Sequence, residues 1–167
     1  MSKSIASCMG GPFLRRYDIL KSFIPMIQLG CNPDALELNT DEILLLSKVN
    51  EERARSGLPL LSVNQKLVEL ARIKSNEMFE ENYFSHISPV YGTALDMIKK
   101  SGITARVMGA ENIAKAKTAL RVHTLLMSSR EHRDNILNPL HDTIGIGVHR
   151  SVYGVIATQL FLGTLDK

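Results

Sequence analysis

The chain has 167 residues, of which 44% are hydrophobic, so it is long enough to bury one core and to form one domain with an extension. The formal net charge is +3, with acidic and basic residues intermixed rather than gathered in a basic stripe. Four tyrosines and five phenylalanines leave few rings for stacking on bases, so nucleic-acid binding is not expected.

Residues 1–39 are predicted to be an N-terminal extension of a domain at residues 40–167. Two interpretations stay open: an arm that packs on the domain or on another protein, and a degraded export signal. Basic residues precede an apolar stretch at residues 23–29, but this stretch begins late and Pro25 interrupts it, so the signal peptide is not convincing. The stretch is also shorter than the ~20 residues that span a bilayer, so no transmembrane helix is expected.

Both cysteines, Cys8 and Cys31, belong to the extension, so the predicted domain must fold without disulfides. Few cysteines are typical of proteins from reducing compartments, but bacterial secreted proteins often lack cysteine too. The cysteine count therefore does not decide the compartment.

Two amphipathic helices are predicted at the start of the domain. Thr40 is placed to cap the first helix, which ends at Gly57. The apolar residues at helical spacing in this helix are Ile43, Leu46 and Val49. Asn64 is placed to cap the second helix, which runs to about Glu81. His86 follows this helix in a loop.

The middle of the chain predicts two more helices and a strand. Thr93 begins a capping-box pattern for a third helix that ends at Gly102. Residues 103–108 are predicted to be a strand, with Glu111 at or just beyond its end. Thr118 is placed to cap a fourth helix, and His132 follows in a short second turn.

The C-terminal part predicts a pair of strands. Residues 144–148 and 152–161 are rich in β-branched side chains, and residues 149–151 are predicted to form the turn between them. Helices and strands are segregated enough along the chain to favour an α+β fold with a sheet covered by helices.

Three sequence blocks carry the candidate chemistry. They are NYFSHISP from residue 82, AENIA from residue 110 and MSSREHRDNIL from residue 127. In this order they resemble the CAP superfamily, also called the SCP or sperm-coating/pathogenesis-related family, in the short form found in bacterial extracellular proteins. The resemblance runs from about residue 41 to residue 163.

This resemblance implies a three-layer α-β-α sandwich, a location outside the cell or in the cell envelope, and a ligand groove. The motif positions place His86, Glu111 and His132 in that groove. The second acid of the eukaryotic pattern falls on Ser129, which becomes the fourth expected groove residue. Serine at this position puts any mechanism with two acids in doubt.

His86 and His132 are the candidate metal ligands, because neutral imidazole is a good zinc donor. Two histidines with water molecules would form an open site of weak affinity, whereas structural zinc sites use four protein ligands. The alternative for each histidine is a structural hydrogen bond to the backbone or to a carboxylate.

Glu111 is the candidate catalytic residue. It could orient a histidine, hold a metal-bound water or act as a general base, and its alternative role is an ion pair. Glu131 is a second acid near His132, but Ser128 and Glu131 also match a capping box, which is the interpretation we favour. Asn112 is expected to be structural, because a buried amide can bond two backbone strands at once.

Three functions follow from these features. We favour a module that binds a small ligand, a peptide or an envelope component. The first alternative is a zinc-dependent hydrolase with Glu111 as general base. The second is an assembly or coat protein that binds a protein partner, or a second copy of itself, through residues 1–39.

Overall fold

A computed structural model describes residues 37–164 of the chain. The predicted extension, residues 1–39, lies almost entirely outside this range, so its role and the domain boundary stay predictions. The described residues form five helices and four strands. In chain order these are α1 Thr40–Arg55, β1 Ser62–Val63, α2 Gln65–Glu80, α3 Ala94–Lys100, β2 Val107–Ala116, α4 Ala119–Ser128, α5 Arg130–Ile136, β3 Thr143–Ser151 and β4 Gly154–Gly163.

The strands form one sheet in the order β1-β3-β4-β2. Strands β3 and β4 are an antiparallel hairpin, β2 runs antiparallel to β4, and the short β1 is parallel to β3. Strand β2 is therefore an edge strand of the sheet.

Helices cover both faces of this sheet. Helix α2 packs against β3 and β4, and α3 packs against β2, while α1, α4 and α5 contact strands from the opposite layer. Leu160 and Leu162 of β4 point into the core under α2, and Phe161 points into the other core, as the two-residue repeat of a strand requires. The predicted α+β fold with three α-β-α layers is confirmed.

Most predicted helix caps are present. The side chains of Asn64, Thr93 and Thr118 each accept a backbone N–H bond at the start of their helices. The first helix differs, because Asn39 is its cap and Thr40 is already helical. Asn39 forms a complete capping box with Glu42, and this box fixes the start of the helix one residue before the predicted cap.

The buried face of α1 includes Val49 but otherwise differs from the apolar residues that the helical spacing picked out. Glu42, Leu45, Val49 and Arg53 are fully buried, whereas Ile43 is 47% exposed. Apolar spacing alone misses this face because two of its four members are charged residues that are buried with hydrogen-bond partners.

Two strand predictions are wrong in their boundaries. The predicted strand at residues 103–108 is β2, which begins later and continues through Glu111. The predicted turn at residues 149–151 belongs to β3, and the hairpin turns at Val152 and Tyr153. Gly154, with φ +133, directly follows the turn and adopts a backbone conformation that other residues rarely reach.

Among the described helices, none has both the length and the apolar character needed to cross a membrane.

Candidate functional site

Three of the four predicted site residues come from separate elements that meet at the β2 edge of the sheet. His86 lies in the loop after α2, Glu111 lies within β2, and His132 lies in α5. Successive residues of β2 face opposite layers. Asn112 bonds α5, so its neighbour Glu111 faces the layer of α2, from which His86 approaches.

His86 and Glu111 form a short hydrogen-bonded pair. The distance between His86 Nδ1 and Glu111 Oε1 is 2.6 Å. The side chain of His86 is 57% exposed and that of Glu111 is 6% exposed, so an accessible imidazole lies on a buried carboxylate. An ionised carboxylate can only accept, so Nδ1 then donates and Nε2 is the ring nitrogen available to a ligand.

Glu111 is in an environment that opposes its charge. Burial raises the pKa of this carboxyl, while the hydrogen bond to His86 and the charges of His86 and Lys74 lower it. Its second oxygen, Oε2, is buried without a hydrogen-bond partner among the described residues. The carboxylate therefore has spare capacity to accept one more donor.

His132 is the second imidazole of the site. Burial is the main cause of its lowered pKa. The charge of His86 lowers the pKa further, and the charge of Glu131 raises it. The influence of His86 means that the two imidazoles are near enough to repel when both are protonated. At neutral pH, His132 is therefore held in the neutral form that metals and hydrogen-bond donors require.

Asn112 fixes the helix that carries His132. Its amide nitrogen donates to the backbone oxygen of His132 at 3.0 Å and to Gln159 Oε1 at 3.1 Å. Its amide oxygen accepts from Asn135 at 2.9 Å. Asn112 is structural, as predicted, but it joins β2 to the backbone of α5 and to a side chain of β4 rather than to the backbone of two strands.

The predicted capping box of Ser128 and Glu131 is wrong. Ser129 is the N-cap of α5 and makes no side-chain cap bond. Ser128 is the last residue of α4, and its hydroxyl donates to Leu125 O in its own helix at 2.8 Å. Ser129 is partly buried at the junction of α4 and α5, and its place in a ligand groove stays a prediction.

Sequence reasoning missed four polar residues next to the site: Lys74, Glu77, Tyr83 and Ser88. They form a hydrogen-bonded chain between α2 and the loop of His86. One signal was available in the sequence, because Lys74 lies at helical spacing from the apolar residues Leu67, Ala71 and Met78, which are all buried. A charged residue in such a stripe must have partners.

A groove of about 450 Å³ lies beside the start of the His86 loop, on the described part of the molecule. Its lining includes Phe79, Tyr83, Phe84 and Tyr153, but none of the four predicted site residues. The candidate site lies at His86 because the hydrogen-bonded imidazole and carboxylate are there. The groove is marked only by its concave shape.

Weak zinc binding at His86 and His132 stays a prediction. Within residues 37–164, no three His, Cys, Asp or Glu side chains are placed to hold a metal ion together. His86 and His132 would be the protein ligands, and Glu111 would orient His86, as carboxylates that bond metal-binding histidines do. Bound zinc would supply a Lewis acid.

The chain matches a known family over most of its length. A family model described as the cysteine-rich secretory protein family, or CAP, matches residues 46–161. YkwD of Bacillus subtilis strain 168 is 46% identical over 115 residues, which cover 68% of this chain and 44% of YkwD. The membrane protein YlbC of the same strain is 32% identical over 126 residues, 74% of this chain and 34% of YlbC. The chain thus spans less than half the length of these curated relatives.

Solved structures agree with this family. An extracellular protein with an SCP domain from Bacillus anthracis has a TM-score of 0.68 at 30% identity, covering 73% of this chain and 40% of that chain. An outer surface protein from Borrelia burgdorferi has a TM-score of 0.69 at 21% identity, covering 78% of this chain and 97% of that chain, and supports the fold alone. With the family match and the three-layer fold together, this chain belongs to the cysteine-rich secretory protein family, whose domain is the CAP or SCP domain.

Proposed function

We propose that this protein is a binding module of the cell envelope or extracellular space, and that its ligand binds across His86, Glu111 and His132. The observation that carries the proposal is the 2.6 Å pair of His86 and Glu111. This pair combines an exposed imidazole with a buried carboxylate, and burial lowers the pKa of the second imidazole, His132.

The compartment is proposed from a relative. The Bacillus anthracis protein, 30% identical to this chain, is described as extracellular. An exposed, oriented imidazole suits a ligand that offers a hydrogen-bond donor or a metal ion. A small molecule, a peptide or an envelope component can each provide such a group.

Binding of zinc is the accessible probe of this site. Isothermal titration with zinc at about pH 7.5 should show weak binding, and His86→Ala and His132→Ala should each remove most of it. His149→Ala is the matched control, because His149 bonds Asn76 and stacks on Phe79 at 4.1 Å. At about pH 5 the wild-type affinity should be lower, since protons compete with zinc for imidazole. Equal zinc binding by all three variants would contradict the site.

A zinc-dependent hydrolase is the alternative function. The geometry favours binding, because the carboxylate of Glu111 is nearly buried and already bonds His86, which leaves one oxygen for other chemistry. Purified protein loaded with zinc should therefore leave panels of peptides, esters and polysaccharides intact. Turnover that needs zinc and disappears in Glu111→Gln would replace the binding proposal with the hydrolase.

A further inference from the structure

A chain of buried polar groups links α2 to the loop that carries His86. Lys74 Nζ donates to Tyr83 Oη at 3.1 Å, and Tyr83 Oη donates to Glu77 Oε2 at 2.8 Å. Ser88 Oγ donates to the other carboxylate oxygen of Glu77 at 2.6 Å. Lys74, Glu77 and Ser88 are 0%, 8% and 3% exposed, so these bonds form away from bulk water, where they are strong.

Ser88 is the point at which this chain fixes the loop. Its hydroxyl oxygen accepts the backbone N–H groups of Val90 at 3.1 Å and Tyr91 at 2.7 Å. Its backbone exchanges two further hydrogen bonds with Gly92, at 2.8 and 3.1 Å. Ser88 thus closes a tight turn and ties that turn to α2. Because His86 lies two residues before Ser88, this anchor restricts where the imidazole can be.

Hydrophobic packing contributes little to holding this loop. Its apolar side chains face solvent, with exposures of 49% for Phe84, 63% for Ile87 and 65% for Val90. A loop with so little buried apolar surface opens readily unless polar contacts hold it. The bond between Ser88 and Glu77 is such a contact.

The same hydrogen-bonded residues also lie near Glu111, the partner of His86. Tyr83 packs against a cluster that includes Ile113, which lies on the same face of β2 as Glu111. Burial lowers the pKa of Lys74, and the nearby charges of Glu111 and Glu77 offset part of this effect. Burial and the bond to Glu77 raise the pKa of Tyr83 to about 12, so its phenol remains a donor.

We propose that Lys74, Tyr83, Glu77 and Ser88 are positioning residues that hold the imidazole of His86 on Glu111. These four residues act through the loop and do not contact the ligand themselves. This inference deepens the proposed function, because its effect on ligand binding rests on a site at His86. Its effect on the His86 ring does not depend on any ligand.

The test compares Ser88→Ala with Ser85→Ala. Both variants lose a hydroxyl from the same loop, but Ser85 Oγ accepts the N–H of Ile87 at an exposed position. Two-bond ¹H–¹⁵N NMR shows which ring nitrogen of His86 carries the proton. We expect Nδ1 in the wild type and in Ser85→Ala, and the tautomer mixture of a free imidazole in Ser88→Ala.

Ligand binding provides the second readout. Zinc affinity should fall about 10-fold or more in Ser88→Ala, the usual effect of losing an outer partner of a metal ligand, and stay unchanged in Ser85→Ala. Ser88→Thr keeps the hydroxyl and should restore both readouts. If Ser88→Ala does not fold, Tyr83→Phe removes a different hydroxyl of the chain and should give the same two changes.

The outcomes separate this inference from the proposed function. Wild-type tautomer and wild-type zinc affinity in Ser88→Ala would overturn the positioning role. If the wild-type protein carries the proton on Nδ1 but binds no zinc, the predicted zinc binding at the proposed site is wrong. In that case, loss of the Nδ1 tautomer in Ser88→Ala would still support the positioning role.

Discussion

Arg53 shows how single buried charges hold the layer behind the site together. Its guanidinium is fully buried and donates to four backbone oxygens. They belong to Pro59, Ile136, Asn138 and His141, at 2.8 to 2.9 Å. Arg53 thus joins α1 to the end of α5, the helix that carries His132. Lysine offers a compact ammonium in place of this fork of five N–H donors.

We therefore predict that Arg53→Lys lowers the free energy of unfolding by about 3 kcal/mol or more, because several buried carbonyls lose their donors. Urea unfolding followed by circular dichroism measures this change. Arg55→Lys is the control, since the side chain of Arg55 is 66% exposed, and its effect should stay within about 0.5 kcal/mol. Similar losses in the two variants would mean that the bonds of Arg53 contribute little.

At the scale of elements, two glycines let α2 lie directly on the sheet. A Cβ at Gly145 would come within 2.3 Å of Leu67, and one at Gly147 within 2.1 Å of the backbone of Ala71. Backbone atoms of a packed helix cannot move aside without shifting the helix. The close contact sets the height of α2 above the sheet, and with it the start of the loop of His86.

Gly147→Ala should therefore destabilise the protein by about 3 kcal/mol or more, since overpacking of a backbone contact is relieved only by moving α2. Gly102→Ala is the control: a Cβ there meets nothing within 4 Å, and its φ of +75 predicts only the strain of a left-handed residue, about 1–2 kcal/mol. Thermal unfolding of both variants measures the difference. A Gly147→Ala protein as stable as Gly102→Ala would contradict the close packing.

The elements that sequence predicted well are those with local signals. Asn64, Thr93 and Thr118 cap their helices through atoms only a few residues away. Strand β2 was misplaced because its pairing with β4, distant in sequence, decides it, and because Glu111 and Asn112 look like loop residues. The family motifs identified His86 and Glu111 as site residues. They did not predict the hydrogen bond between them or the anchor at Ser88, because both depend on contacts between residues distant in sequence.

At the scale of the whole molecule, buried and partly buried histidines link stability to pH. Burial lowers the pKa values of His123, His132 and His141. Below the ordinary histidine pKa of ~6.5, the unfolded chain therefore binds protons that the folded protein does not yet bind. This difference favours the unfolded state, so stability is lost as pH falls through the window below ~6.5.

We predict that the urea midpoint is constant between about pH 8 and 7 and decreases from about pH 6.5 to 5. Glu111 acts in the opposite direction at lower pH, because its raised pKa makes the folded protein bind a proton more readily than the unfolded chain. Proton uptake on unfolding, measured by calorimetry in two buffers at about pH 6, checks the sign. Proton release at that pH would contradict the prediction.

The most direct test of the central claim, a single ligand site at the β2 edge of the sheet, is a zinc titration followed by backbone-amide NMR. The predicted chemical-shift changes lie in three segments: the loop around His86, β2 around Glu111, and α5 with His132. Changes confined to the groove at Phe79 and Tyr153, or to the surroundings of His149, would contradict the claim.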